Sequence, residues 1–172
     1  MRIILTHPNY GQLEHTPDGD EAYNRQLEQV EYLHGILYAD PEHRLNADAD
    51  TDDIDSYGTG TKAFWRGMLE GAGYIAITGT GEKRYPRVEL KGSLPVLTKF
   101  LAFMQEEVER AVGMPWAWDA DGSLAFQAAG GFLRLTGQRA QDICRILYVD
   151  QEVGQDSIRH VVDEILTWTT KR

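Results

Sequence analysis

Short connections between strand-like segments constrain the fold of this chain more than any other feature. From residue 74 onward, apolar or alternating segments predict strands that fall into two pairs. Fewer residues separate the strands of each pair than the dozen or so that a parallel crossover needs, so both pairs must be antiparallel. The predicted strands are residues 74–78 with 88–90, and residues 124–126 with 132–135.

Apolar residues spaced three and four positions apart predict helices around these strands. The predicted fold class is α+β, with mixed α/β as the alternative. A single domain would span residues 1–172, with a central sheet of about five or six mostly antiparallel strands and about five helices. No segment recurs with a period of 20 to 50 residues, so a repeat architecture is not expected. The helices are expected near residues 20–38, 61–71, 93–112, 138–148 and 156–169.

The charge of the chain is distributed unevenly along its length. Residues 1–55 carry thirteen acidic and three basic side chains, whereas residues 56–172 carry fourteen of each. The net charge of -10 therefore belongs entirely to the first third of the chain. Repulsion of this size has to be screened by salt or neutralised by a bound cation or a basic partner.

A long acidic loop is predicted from about residue 40 to residue 58. Asp40-Pro41 ends the preceding helix, and only Leu45 and Ile54 interrupt the polar sequence that follows. A loop of this length in a compact domain is usually functional or mobile. We interpret it as a surface for a basic partner, and a solvated loop is the alternative. The partner-binding residues would be Asp48, Asp50, Asp52, Asp53 and Asp55, with Glu21, Glu28 and Glu31 on the helix before them.

The same aspartates resemble the start of a calcium-binding loop. Asp48, Asp50 and Asp52 have the spacing with which an EF-hand loop begins. The sixth position, which requires glycine, is Asp53, and the twelfth, which requires glutamate, is Thr59. The sequence therefore does not predict an EF-hand, and no metal ligands are assigned. A looser cation site at these aspartates is the remaining alternative.

Two glycine-threonine turns are candidates for binding phosphate. The segment 58–63 matches G-x-G-x-x-A and leads into a predicted helix, but no good strand precedes it. The segment 79–84 follows a strand but leads into Tyr85-Pro86 instead of a helix, and neither segment is a Walker A loop. Ordinary turns with solvated basic side chains are the alternative. An anion site at the second turn would use Gly79, Gly81, Lys83, Arg84 and Arg87, and the same basic patch with Tyr85 would suit RNA or another polyanion.

Catalytic chemistry has little support in the sequence. His7, at the end of the first predicted strand, is the candidate general base. No histidine has the H-x-H or H-E-x-x-H spacing of metal ligands, and no cofactor is expected. Cys144 lies in an apolar run typical of a core cysteine, and no serine stands in a G-x-S-x-G motif.

Composition suggests a cytoplasmic protein. A single cysteine cannot form an internal disulfide, and the three apolar residues near the N-terminus are too few for a signal peptide. No stretch approaches the roughly 20 apolar residues that cross a bilayer, so no membrane partner is expected. A pI near 4.9 argues against direct binding of duplex DNA.

The sequence therefore predicts a non-catalytic acidic interaction protein that docks on a basic protein or protein complex. An inhibitor, an immunity factor and a nucleic-acid mimic all work in this way, because charge speeds association. The first alternative is a small enzyme or binding protein for a nucleotide or another phosphorylated small molecule, using the turn at 79–84. The second alternative is a structural subunit of an assembly, with Trp116 and Trp118 at the contact.

Overall fold

The chain has a mixed α+β architecture. The computed structural model describes residues 3–7, 11–15, 20–39, 60–113, 123–127, 130–151 and 153–169. Within these ranges the chain forms five α-helices and six strands. In chain order they are β1 (Ile3–His7), β2 (Gly11–His15), α1 (Asp20–Ala39), α2 (Lys62–Ala72), β3 (Gly73–Thr78), β4 (Tyr85–Gly92), α3 (Leu94–Val112), β5 (Ser123–Gln127), β6 (Gly130–Thr136), α4 (Gln138–Tyr148) and α5 (Asp156–Leu166).

The six strands belong to two separate sheets. The larger sheet has the order β3-β4-β6-β5, and every neighbouring pair in it is antiparallel. Strands β1 and β2 pair only with each other within the described residues, with Ile3 opposite His15 and His7 opposite Gly11. The expected single sheet of five or six strands is therefore not confirmed, although the antiparallel pairing is. The apolar pattern does not predict strand β2, because its five residues include only one large apolar side chain, Leu13.

One face of the larger sheet is buried beneath helices. Successive side chains of a strand point to opposite faces, so alternate residues of β3, β4 and β6 share a face. The residues on the inner face pack with α2 to α5 into one hydrophobic core, which also includes Ala39 at the end of α1. The inner-face residues of this core are Ile75, Val88, Leu90, Leu133 and Leu135.

Helix α2 is the central helix of the core. Thr61 caps its first turn, where the threonine hydroxyl accepts a hydrogen bond from the Phe64 amide at 3.3 Å. Seven consecutive residues, 63–69, are buried, so the helix is enclosed on all sides along this stretch. The helix ends at Gly73, which is also the first residue of β3.

Helices α1 and α2 cross so closely that only glycine fits at the contact. A Cβ atom on Gly35 would lie 2.1 Å from the carbonyl oxygen of Phe64, and one on Gly67 would lie 2.1 Å from the carbonyl oxygen of Tyr32. The two contacts are reciprocal, since Tyr32 and Phe64 are related by the same 32-residue offset as Gly35 and Gly67. Reciprocal contacts of this kind relate α1 and α2 by an approximate local two-fold axis.

The sequences that meet at this crossing are also alike. Residues 32–39 of α1 and residues 64–71 of α2 share an aromatic residue, a glycine, a leucine and a small residue at matching positions. Each matching segment is only about two turns long and the positions between the matches differ, so the likeness is much shorter than the 20 to 50 residues of a repeat architecture. The matched pairs are Tyr32 with Phe64, Gly35 with Gly67, Leu37 with Leu69, and Ala39 with Gly71.

The end of α5 is held by a buried amide from α4. The Gln141 side chain is 5% exposed, and its Nε2 donates to the carbonyl oxygens of Ile165, Leu166 and Trp168 at 2.9–3.1 Å. The last carbonyls of a helix have no partner within the helix, so this side chain supplies one from outside. Among the described residues, no helix is both long enough and apolar enough to cross a membrane.

Candidate functional site

The outer face of the larger sheet carries cationic and aromatic side chains. In the register of the sheet, Glu89 of β4 lies between Tyr74 of β3 and Arg134 of β6. Tyr74 is 47% exposed and Tyr85 is 40% exposed, so large aromatic surfaces remain open to solvent. Basic side chains interleaved with aromatic ones are typical of surfaces that bind polyanions. The outer-face residues that define this cationic face are Tyr74, Tyr85, Arg87, Glu89, Lys91, Phe132 and Arg134.

Glu89 is the acidic residue at the centre of the cationic face. Its Oε1 accepts hydrogen bonds from Arg87 Nη2, at 2.6 Å, and from Arg134 Nε. Burial alone would raise the pKa of Glu89, but the hydrogen bonds from Arg134 and Arg87 outweigh this effect and hold its pKa below the usual range. Glu89 is therefore a charged carboxylate that two arginines share.

Both arginines also lie against aromatic rings. The guanidinium carbon of Arg87 is 5.5 Å from the centre of the Tyr74 ring, and that of Arg134 is 5.0 Å from the centre of the Phe132 ring. These are cation–π distances, and each is worth roughly 0.5–1 kcal/mol at an exposed position. The ring and the carboxylate together hold each guanidinium in place. The side chain of Arg87 is still 27% exposed and that of Arg134 is 39% exposed.

The turn at 79–84 lies at one end of the cationic face. Gly79 and Gly81 have φ values of 91° and 56°, which favour glycine, and residues 81–83 form a single 3₁₀ turn. A Cβ on Gly79 would lie 2.2 Å from the carbonyl oxygen of Lys83, so the turn closes on its own backbone. Arg84 Nη2 is 2.7 Å from Glu164 Oε1, which engages one of the proposed anion holders in an ion pair.

The proposed partner-binding acids are only partly within the described residues. Asp48, Asp50, Asp52, Asp53 and Asp55 lie outside them, as do Trp116 and Trp118, and for Glu21 only the backbone in α1 is described. Glu28 is 23% exposed and forms an ion pair with Arg66 of α2. Burial raises the pKa of Glu31, and the neighbouring charge of Glu28 adds to the rise.

The candidate base His7 and the predicted core cysteine Cys144 belong to different elements of the fold. His7 is the last residue of β1, where its backbone pairs with Gly11, and its side chain lies outside the described residues. Cys144 is fully buried in α4, and burial raises the pKa of its thiol to about 12. A search of the described side chains for three or more metal-ligating residues in one place finds no such cluster.

A buried polar cluster, centred on Arg66, joins α1, α2 and the end of α4. Arg66 is 0% exposed, pairs with Glu28, and donates through Nη1 to the Leu147 carbonyl at 2.8 Å and to Gln151 Oε1 at 3.0 Å. The guanidinium carbon also lies 5.9 Å from the centre of the Tyr32 ring. A buried arginine is costly unless it is paired and hydrogen-bonded. Here Nη1 and Nη2 have partners, whereas the buried Nε has none among the described residues.

The polar cluster continues to Glu70, one turn along α2. The Tyr32 hydroxyl donates to Glu70 Oε2 at 2.6 Å, and the Gln155 amide donates to the same oxygen at 2.9 Å. Burial and the hydrogen bond to Glu70 raise the pKa of Tyr32. Nearby, an open pocket of about 580 Å³ is lined by residues of α4, α5 and the segment between them, including Tyr148, Asp150, Arg159 and Asp163.

Sequence reasoning found the basic residues of one strand but not the complete cationic face. Lys83, Arg84, Arg87 and Lys91 are neighbours in the sequence and form a visible basic patch. Arg134 joins them only through the pairing of β4 with β6, which places it opposite Glu89. The available signal was the alternation of Phe132, Arg134 and Thr136 with apolar residues, which predicts that these three share a face.

Comparison of the chain with protein-family models, with curated proteins and with solved structures finds no match.

Proposed function

We propose that this protein binds nucleic acid on the cationic face of its larger sheet. The observation that carries the proposal is the outer face of β3, β4 and β6, where three cations and three aromatic rings surround one carboxylate. Cations neutralise phosphates and release their counterions, and exposed rings stack on bases. Among the described residues, the helices that form the core with this sheet lie on its opposite side, so a strand of nucleic acid that reaches the outer face leaves the core unchanged.

The charge of the whole molecule sets the expected strength of binding. The acidic first third repels a polyanion, so we expect modest affinity with a strong dependence on salt. Duplex DNA has the higher charge density, so this repulsion would lower its affinity more than that of a single strand.

Fluorescence anisotropy with labelled single-stranded and duplex oligonucleotides tests the proposal. We expect a salt-dependent rise in anisotropy that weakens when Lys91→Gln removes an exposed cation and when Tyr74→Ala removes a ring. Loss of one stacked ring costs roughly 1–3 kcal/mol per base. Arg145→Gln is the matched control, because Arg145 lies on α4 and pairs with Asp142 away from the sheet. Absence of binding to either form at low salt would overturn the proposal.

A second proposal concerns the acidic first third, which would dock on a basic protein surface. The charge segregation supports it, since residues 1–55 carry the net charge of -10 and the rest of the chain is balanced. Glu28 is already paired with Arg66, and Glu31 hydrogen-bonds to Thr61, so the aspartates of the tract would supply most of the docking charge. This protein would then act as an inhibitor, an immunity factor or a nucleic-acid mimic.

Affinity capture from native cell extract at low and high salt tests the second proposal. We expect a basic protein to be retained at low salt and released at high salt. Replacing Asp48, Asp50, Asp52, Asp53 and Asp55 by asparagine should abolish the retention. If the substituted protein retains the same partner with the same salt dependence, the aspartates are not the docking site.

A further inference from the structure

We propose that Glu89 is an internal competitor of nucleic-acid phosphates for Arg87 and Arg134. This inference rests on the function proposed for the cationic face and adds the residue that sets its affinity. Glu89 sits between Tyr74 and Arg134 in the strand register, at the centre of the face. Through one oxygen it accepts a hydrogen bond from each arginine, as a phosphate oxygen would.

The exposures of the three side chains place the arginines within reach of a ligand. Arg134 is 39% exposed and Arg87 is 27% exposed, whereas Glu89 is only 14% exposed. A phosphate that approaches the sheet therefore meets the guanidinium groups before the carboxylate. It can take the N–H groups that the arginines do not give to Glu89 or replace the bonds to Glu89, and in both cases it has to tolerate a second negative charge beneath it.

The local charge balance predicts the direction of the effect. Arg87, Lys91 and Arg134 carry three positive charges, and Glu89 cancels one of them. Without the carboxylate, one more cation is available to neutralise a phosphate. For single strands the logarithm of the binding constant then falls more steeply with the logarithm of salt concentration, by roughly 0.7.

Glu89 also has a simpler alternative role, in which it only holds the two arginines in position. The two roles predict opposite results for Glu89→Gln. Glutamine keeps the shape of the side chain and an oxygen that accepts hydrogen bonds, but it removes the charge. If Glu89 is a competitor, the substitution tightens binding. If Glu89 only positions the arginines, the substitution leaves binding unchanged or weakens it.

The experiment is an anisotropy titration of a labelled oligothymidylate with the full chain. We expect Glu89→Gln to bind roughly three- to tenfold more tightly than the wild type, with the steeper salt dependence. Glu109→Gln is the matched control, since Glu109 is an exposed acid on α3, whose apolar side packs in the core beneath the opposite face. The control changes net charge by the same amount and should shift affinity less than twofold.

The possible outcomes separate this inference from the proposed function. If the wild type binds and Glu89→Gln binds no more tightly than Glu109→Gln, Glu89 is not a competitor and the proposed function stands. If neither the wild type nor Glu89→Gln binds, both are overturned. Circular dichroism checks that the variant is folded. If it is not, Glu89→Thr removes the charge with a residue that favours strands and should give the same tightening.

Discussion

At the scale of single residues, Arg66 shows how a charge is kept inside the core. Its pairing with Glu28 and its two bonds from Nη1 replace most of the water contacts that burial removes, and only Nε stays without a partner among the described residues. Removing one member of a buried pair leaves the other charge without compensation. We expect Arg66→Met to lower the free energy of unfolding by roughly 3–5 kcal/mol, measured by chemical denaturation.

The double variant Arg66→Met with Glu28→Gln checks the cause of that loss. Because it removes both charges, it should recover part of the stability lost by Arg66→Met alone. If the double variant is less stable than the single one by the full cost of Glu28→Gln, the two residues are not coupled.

The glycine contact between α1 and α2 gives a second prediction at this scale. Alanine favours helix over glycine, yet its Cβ at position 35 or 67 would lie 2.1 Å from a backbone carbonyl oxygen that cannot move freely. We expect Gly35→Ala and Gly67→Ala each to cost roughly 1–3 kcal/mol in thermal or chemical unfolding.

Gly60 provides the control for this prediction. A Cβ at Gly60 meets no atom within 4 Å, and its φ lies outside the left-handed region. Gly60→Ala should therefore change the stability by less than about 0.5 kcal/mol. Equal losses at positions 35 and 60 would contradict the steric explanation.

At the scale of elements, Gln141 links the last two helices. Its Nε2 satisfies carbonyl groups at the end of α5 that α5 itself cannot satisfy. We expect Gln141→Leu to cost roughly 1–3 kcal/mol and to speed amide hydrogen exchange in α5 more than in α2. Gln105→Leu is the control, since Gln105 lies on α3 and donates to the exposed Glu109 one turn along the same helix. Uniform loss of protection across α2 and α5 would contradict a local role.

The elements differ in how far the sequence predicts them. Helices α3 and α4 follow from apolar spacing and from stop signals such as Gly113, because both signals are local. The grouping of six strands into sheets of four and two depends on pairings between distant segments, which no local pattern specifies. The same limit applies to Arg66, which stands in an apolar helix and gains its partners from α1 and from the segment after α4.

At the scale of the whole molecule, the segregated charge predicts how stability responds to salt. The acids of the first third repel one another, and raising salt from about 0.01 M to about 0.15 M shortens the Debye length from about 30 Å to about 8 Å. We expect the melting temperature to rise over this range, because with a net charge of -10 relief of repulsion outweighs the weakening of surface ion pairs.

Replacing the five aspartates of the acidic tract by asparagine tests whether their repulsion causes this salt dependence. The substituted protein should melt at a higher temperature in low salt and respond less to added salt. A fall in melting temperature with salt in the wild type would contradict the argument. The charge asymmetry itself is visible in the sequence, whereas the cationic face becomes visible only when β4 and β6 are paired.

The turn at 79–84 is held by residues that are synthesised much later than the turn itself. Trp168 Nε1 donates to the Arg84 carbonyl at 2.9 Å, and Glu164 pairs with Arg84, so contacts spanning 80 and 84 positions hold this turn. A ribosome adds roughly 5–20 residues per second, so these partners emerge several seconds after Arg84. Strands β3 and β4 can pair during that interval. The turn that connects them lacks both of these contacts until Glu164 has been made, and it lacks the contact with Trp168 until that residue has been made.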